Sequence, residues 1–262
     1  MSWGESMDDL VLTIHPGCDR DGVPESFETL ELRRGDMLAL VGPTGSGKSR
    51  LLGDIEWLSQ GDSPSKRCVE LRGAGELAED RLEGAHHRVA QLSQSMQFVM
   101  DLPVGEFLSL HAQAREVDDP GIVAEVIHAA CRLCGEPFHA QTLLCALSGG
   151  QSRSLMIADT AVLAAAPVVL VDEVENAGVD RRRALELLTG RDKIVLMATH
   201  DPLLALLAPR RAVLGRGGIR CVRERTAQEL RLLAEFEKVD ERLSRARERL
   251  RVGLSPAEGD WI

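Results

Sequence analysis

The feature that most constrains this chain is a glycine-rich segment that directly follows a short apolar run. The run, Met37–Val41, predicts a buried strand. The segment reads Gly42, Pro43, Thr44, Gly45, Ser46, Gly47, Lys48, Ser49. It matches the pattern GxxxxGK[ST], in which glycines let backbone N–H groups point at phosphate oxygens and the next helix adds the positive end of its dipole.

A helix is predicted immediately after this loop, over residues 48–58, with Arg50 in its first turn. In this pattern Lys48 reaches the β- and γ-phosphates of a nucleotide, and the Ser49 hydroxyl ligates Mg²⁺. A glycine-rich turn with a chance lysine is the competing interpretation, and it loses weight because strand, complete motif and helix occur together. The loop alone leaves kinases, GTPases and transport ATPases open.

A second buried strand is predicted over residues 167–171, and it ends on Asp172 and Glu173. Parallel sheets bind ligands at the carboxyl ends of their strands. Asp172 suits a water-mediated contact with Mg²⁺, and Glu173 suits a general base that polarises the attacking water. The alternative is that the two acids are simply solvated at the end of a strand. This interpretation loses weight because the chain also contains a phosphate-binding loop.

Between these segments lies Leu147-Ser-Gly-Gly-Gln151, followed by an apolar-periodic helix over residues 155–165. LSGGQ just before such a strand resembles the signature of ATP-binding cassette (ABC) ATPases, which sandwich MgATP between two cassettes. The resemblance implies that the signature binds the γ-phosphate held by the opposite cassette, through the residues Ser148, Gly149, Gly150 and Gln151. It therefore implies a second cassette as a partner, in a homodimer or a heterodimer.

Three further residues are placed by the resemblance. Gln94 is similar to the glutamine of the Q-loop, which contacts both Mg²⁺ and the reaction centre, with Gln91 and Gln97 as alternatives. His200 follows the apolar run Ile194–Ala198 and resembles the switch histidine that contacts the γ-phosphate. Asp180 resembles the D-loop residue that joins the two active sites across the dimer.

The predicted fold is α/β, a P-loop NTPase with an ABC-type parallel-sheet core and an antiparallel N-terminal β-portion. We expect the core in residues 1–94 and 161–225, an inserted helical subdomain in 95–160, and a C-terminal helix and tail in 226–262. The helix begins at a capping box formed by Thr226 and Glu229. Apolar residues in this helix repeat at alternating spacings of four and three, at Leu232, Phe236, Val239, Leu243, Ala246 and Leu250. Such a repeat is typical of a helix that binds a partner or a second copy of itself. The alternative is a helix that is folded back on its own cassette.

Composition and sequence patterns restrict the kinds of partner that we expect and the location of the protein. The net charge of −10 opposes non-specific binding to nucleic acid, so none is expected. No apolar run is long enough to cross a bilayer, and the N-terminus is acidic without an apolar leader. We therefore expect a cytoplasmic protein. If its partners are embedded in the membrane, we expect it to be peripheral at the inner face of that membrane. Cys131 and Cys134 form a CxxC, for which core packing is favoured over a metal site.

The family usually stacks adenine on an aromatic side chain, and this chain has no tyrosine. His15 and Phe27 are candidates, although a surface or core role is favoured for both. The residues after Glu173, with Val174 and then Asn176-Ala-Gly-Val, also depart from the transporter pattern.

We therefore keep two functions open. The first is the nucleotide-binding subunit of a multi-subunit transporter, which the apolar residues 98–102 favour as a groove for a membrane partner. The second is a soluble ABC ATPase that activates, assembles or remodels a protein complex.

Overall fold

The computed structural model describes residues 10–73, 88–93, 96, 98, 100–172 and 178–255. Its centre is a six-stranded sheet with the order β5-β6-β7-β3-β8-β9. All neighbouring strands are parallel except β8 and β9, which form an antiparallel hairpin. The strands are β3 Met37–Val41, β5 Val89–Leu92, β6 Val168–Asp172, β7 Ile194–Ala198, β8 Arg210–Gly215 and β9 Gly218–Glu224.

A separate antiparallel sheet has the order β2-β1-β4, and the first strand of the core, β3, lies between β2 and β4 in sequence. Its strands are β1 Val11–His15, β2 Leu30–Arg33 and β4 Cys68–Arg72. Leu12, Ile14 and Val69 point from this sheet into the same hydrophobic cluster as Leu38 and Leu40 of β3. The parallel core and the antiparallel portion confirm the predicted fold class.

Seven helices fall within the described residues. They are α1 Lys48–Glu56, α2 Val104–Ala114, α3 Ile122–Cys134, α4 Gly149–Val162, α5 Arg181–Thr189, α6 Pro202–Leu207 and α7 Ala227–Arg251, with a 3-10 turn at Leu144–Ala146. Helices α2, α3 and α4 share a hydrophobic cluster around Leu108, Val126 and Leu155. Cys131 and Cys134 are half-buried against this cluster, as the helical spacing predicts.

Helix α4 begins earlier than the apolar period indicates, at Gly149 rather than near residue 155, and it ends at Val162. The reason is a reciprocal capping box. The Ser148 hydroxyl accepts a hydrogen bond from the Gln151 backbone N–H at 3.2 Å, and the Gln151 side chain accepts one from the Ser148 N–H at 2.9 Å. The signature motif is therefore the first turn of the helix.

Helix α7 starts with the predicted capping box, in which Glu229 accepts from the Thr226 N–H at 2.8 Å and the Thr226 hydroxyl accepts from the Glu229 N–H at 3.2 Å. Ion pairs then tie the helix to its own cassette, so it is folded back rather than free. Much of the apolar repeat nevertheless faces solvent, at the side chains of Leu232, Val239, Leu243 and Leu250.

None of the helices in the described ranges is both long enough and apolar enough to cross a bilayer.

The sheet brings the ends of three strands to one edge. β3 leads directly into the glycine-rich loop, and β6 and β7 run parallel to it. Asp172, the last residue of β6, is paired in register with Ala198, the last residue of β7. Asp172 and His200 therefore leave the sheet on the same side as the loop.

Candidate nucleotide-binding site

The backbone of the glycine-rich loop favours glycine at Gly45 and Gly47. Gly45 and Gly47 have φ of 76° and 107°, in the region that side chains disfavour. A Cβ atom on Gly47 would also lie 2.7 Å from the Cα of Gly217 in the β8–β9 turn. The loop curls closely against that turn, and α1 starts at the next residue, Lys48. This is the strand, loop and helix arrangement that binds phosphate at a helix N-terminus.

Lys48 is buried, with 6% of its surface exposed. Its Nζ donates to the Gly42 carbonyl at 2.9 Å and lies 2.9 Å from His200 Nε2. Because an ammonium group can only donate, this contact requires an unprotonated Nε2 on His200. Residues that are 152 positions apart in the chain thus meet at the loop.

The loop forms one wall of an open cleft of about 470 Å³. The cleft is lined by Cys18, Asp19, Arg20, Thr44, Gly45, Ser46, Gly47, Lys48, Ser49, Arg50, Pro64, Ser65, His200 and Gly217. The Ser46 hydroxyl is buried and has no hydrogen-bond partner among the described residues. An orphaned donor beside Lys48 is what a phosphate oxygen would satisfy.

Sequence reasoning missed a second wall of the cleft, which adjoins the loop and consists of residues 18–20 and 64–65 and Gly217. Arg20 donates from Nη2 to the Gly45 carbonyl at 3.1 Å, so it packs against the loop. No motif marks these residues, because they reach the cleft only through long-range packing.

A fully buried arginine, Arg67, stabilises this wall of the cleft. Arg67 pairs with Glu25 at 2.6 Å and with Asp54 at 2.7 Å, and its Nη2 donates to the Gly217 carbonyl at 3.1 Å. Burial alone lowers the pKa of Arg67, but hydrogen bonds and charge attraction from Glu25 and Asp54 outweigh burial and raise it. Since Gly217 contacts Gly47, this cluster fixes the turn that braces the loop.

The signature, residues 148–151, does not line the cleft. It packs instead against the segment before α5, where a Cβ atom on Gly150 would lie 2.8 Å from the Gly178 carbonyl oxygen. Asp180 caps α5 by accepting from the Arg183 N–H at 3.1 Å, and its own N–H donates to Leu133 of α3 at 2.8 Å. One chain therefore carries a phosphate-binding loop and a signature at separate places.

Comparison with known proteins decides the family. The family model described as ABC transporter matches residues 28–176. An ABC transporter ATP-binding protein of Methanocaldococcus jannaschii is 48% identical over 242 residues, which cover 92% of this chain and 93% of that protein. This chain belongs to the ABC ATPases.

Other relatives and structures agree. The lipoprotein-releasing system ATP-binding protein LolD 1 of Rhodopirellula baltica is 32% identical over 189 residues, covering 67% of this chain and 79% of that protein. The structure of cbiO1 from Clostridium perfringens, part of the ABC transporter complex cbiONQ, has a TM-score of 0.62 at 19% identity, covering 93% of this chain and 99% of that one. As an ABC ATPase the chain binds and hydrolyses ATP. The relatives are ATP-binding subunits of transporters, which favours that interpretation over the soluble alternative.

Glu173, Gln94, Gln97, Val174 and Asn176 lie outside the described residues. Their roles remain predictions. Gln91 is described, and its amide faces the Glu56 carboxylate at 3.2 Å, in an orientation in which its nitrogen donates. That contact engages Gln91 with α1.

The antiparallel sheet supplies no aromatic residue to the cleft. His15 lies on β1, 3.3 Å from the Thr29 hydroxyl and 3.5 Å from Glu70, and Phe27 is buried in the core. Neither lines the cleft. The expected surface or core roles for His15 and Phe27 are therefore confirmed.

The donors predicted for Mg²⁺ suit that ion. Ser49 lines the cleft, and Asp172 ends β6 at the same edge of the sheet. A hydroxyl and a carboxylate are the hard oxygen ligands that Mg²⁺ takes from proteins, in company with substrate phosphates and water. In the described part of the chain, no three His, Cys, Asp or Glu side chains cluster as an all-protein metal site.

Proposed function

We propose that this ABC ATPase is the nucleotide-binding subunit of a multi-subunit transporter, and that two cassettes close head to tail on MgATP. The head-to-tail dimer rests on the split site, and the role as a transporter subunit is supported by the similarity to ABC transporter ATP-binding proteins. The cleft holds the phosphate-binding loop and His200, whereas residues 148–151 lie outside it. A complete site therefore needs the signature of a second cassette.

The first turn of α4 is suited to that task. Ser148 already satisfies the N–H of Gln151, which leaves the N–H groups of Gly149 and Gly150 without acceptors within the helix. Such a helix N-terminus attracts anions, and two glycines allow close approach of a phosphate. In the closed dimer this turn would face the γ-phosphate held by the loop of the opposite cassette.

The reaction is in-line attack of water on the γ-phosphorus. Glu173 takes the proton from the water as the new P–O bond forms, the bond between the γ-phosphorus and the β–γ bridging oxygen breaks, and ADP and inorganic phosphate result. Lys48 holds the β- and γ-phosphates, while His200 and the Q-loop residue Gln94 orient the γ-phosphate and the water. Ser49, Asp172 and Gln94 are the residues that would hold Mg²⁺, which would supply positive charge beside the phosphates when it is bound. Asp180, in the D-loop position, communicates between the two sites.

Exposed side chains beside the helical subdomain fit a docking groove for a membrane subunit. Met96 and Met100 are 44% and 49% exposed, and Phe98 packs on Phe107 of α2 at 5.1 Å between ring centroids. Flexible methionines at a surface adapt to an apolar partner. The ATPase would then lie at the inner face of the membrane through its partner.

The test is affinity purification of the Glu173→Gln protein in mild detergent with MgATP, followed by mass spectrometry. Glu173→Gln is expected to retain ATP and lose turnover, so closed complexes persist. Recovery of a polytopic membrane protein supports the transporter. Recovery of soluble enzyme subunits alone would support the soluble remodelling ATPase instead. Lys48→Ala, which should not bind ATP, is the matched control for ATP-dependent recovery.

A further inference from the structure

Arg181, the first residue of α5, joins the C-terminal helix to the segment that carries His200. Its Nη1 pairs with Asp201, and its Nη2 donates to Asp240 of α7 at 3.0 Å. Only 18% of the Arg181 side chain and 19% of the Asp201 side chain are exposed. The planar guanidinium suits this position because its separate N–H groups can serve two carboxylates at once.

Both carboxylate oxygens and the backbone N–H of Asp201 make contacts that fix its position. One carboxylate oxygen accepts the Leu203 N–H at 2.8 Å and caps α6, the other pairs with Arg181, and its own N–H donates to the Thr199 hydroxyl at 2.9 Å. His200 lies between Thr199 and Asp201, so its backbone is fixed from both neighbours. Its ring reaches Lys48 at 2.9 Å. A displacement of Asp201 therefore moves His200 relative to the phosphate-binding loop.

We propose that Arg181 is a positioning residue that couples the C-terminal helix α7 to His200, so that the seating of α7 sets the rate of ATP hydrolysis. The coupling runs from Asp240 through Arg181 and Asp201 to His200. It rests on the proposed role of His200 at the γ-phosphate. The affinity for ATP depends instead on the glycine-rich loop and stays unchanged.

Two other ion pairs attach α7 to the cassette without involving Asp201. Glu237 pairs with Arg182 at 2.6 Å, and Glu229 pairs with Arg211. They hold the helix when Asp240 is changed, so loss of the coupling can be separated from loss of docking. Because Asp240 and Glu237 lie three residues apart and pair with adjacent arginines of α5, Glu237→Gln is a closely matched control.

The first measurement is steady-state ATP hydrolysis by the full-length chain. Asp240→Asn is expected to lower kcat about five- to tenfold and to leave the KM for ATP within about twofold of the parent. Arg181→Lys should lose a similar factor, since one ammonium cannot serve both carboxylates as a fork does. Glu237→Gln should keep the parental kcat. Equal kcat values for Asp240→Asn and the parent would overturn the coupling.

The second measurement shows whether the effect passes through His200. Asp240→Asn is combined with His200→Ala, and single-turnover hydrolysis is followed with enzyme in excess. In that background Asp240→Asn is expected to have no further effect, because the group it positions is gone. The same fold-loss as in the parent would refute the coupling and leave the role of His200 intact. Full turnover by His200→Ala alone would refute the proposed role of His200, and the coupling with it.

Discussion

At the scale of single residues, Arg67 carries the sharpest stability prediction. It is fully buried between Glu25 and Asp54, so removing its charge leaves two buried carboxylates without their cation. Breaking a buried pair by removing one partner costs about 3–5 kcal/mol. We expect Arg67→Met to lower the free energy of unfolding by that amount in urea titration.

The control for this prediction is Arg72→Met. Arg72 also pairs with a glutamate, Glu70 at 2.8 Å, but 76% of its side chain is exposed. Exposed pairs contribute about 0–1 kcal/mol. A loss for Arg67→Met no larger than that of Arg72→Met would show that the buried cluster is not a structural brace of the loop.

Gly47 yields a residue-scale prediction about binding. Its φ of 107° disfavours any side chain, and a Cβ atom would lie 2.7 Å from Gly217. Gly47→Ala should therefore displace the loop and weaken ATP binding at least tenfold in isothermal titration calorimetry. Gly53→Ala, where a Cβ atom meets nothing within 4 Å, is the control within α1 and should bind like the parent.

The sequence predicted one wall of the cleft and not the other, for a physical reason. The loop from Gly42 to Ser49 is a contiguous motif whose chemistry follows from spacing alone. Cys18, Arg20 and Ser65 reach the cleft because the antiparallel sheet packs beside α1, and that packing leaves no local pattern. Arg67 shows the same limit, since its partners Glu25 and Asp54 lie 42 and 13 positions away.

At the scale of elements, the N-terminus of α7 should respond to acid. The Arg211 side chain, with the Thr226 N–H, lowers the pKa of Glu229 from 4.5 to about 2. A depressed carboxyl pKa contributes stability that is fully present above the ordinary value and is lost as pH falls through the folded value. Between about pH 4.5 and 2 the first turn of α7 should progressively lose protection from amide hydrogen exchange.

Two variants isolate the cap from general acid effects. Glu229→Gln should weaken protection in this turn already at neutral pH and remove its dependence on pH below 4.5. Glu241→Gln, on the same helix outside the capping box, should leave the profile unchanged. An identical acid profile for Glu229→Gln and the parent would assign the loss of protection to other carboxylates.

Two capping boxes show how far local patterns predict helix ends. Thr226 and Glu229 are recognisable as a capping box because a charged, helix-favouring segment follows them. Ser148 and Gln151 have the same S-x-x-Q spacing, yet the intervening Gly149 and Gly150 have poor helix propensity, so the apolar period indicated a later start. The cap hydrogen bonds outweigh that propensity and bring the signature into the first turn of α4.

At the scale of the whole molecule, the glycine-rich loop, Asp172 and His200 could be predicted to lie together because each is at or just after the end of a strand in one parallel sheet. The seating of α7 could not be predicted in the same way. Its apolar repeat is consistent with self-association, whereas the ion pairs from Asp240, Glu237 and Glu229 to arginines of the cassette show that the helix is folded back. Pairing between surface side chains far apart in sequence has no periodic signature.

The split site makes a prediction that only a dimer of whole molecules can fulfil. If each site joins Lys48 of one chain to Ser148 of another, a Lys48→Ala chain paired with a Ser148→Arg chain has one site with both defects and one site with neither. Each variant alone should fail to retain labelled ATP in the Glu173→Gln background. An equimolar mixture should retain about a quarter of the parental amount, since random pairing makes half the dimers mixed. A site completed within one chain would give no recovery in any mixture, because every chain then carries a defect in its own site.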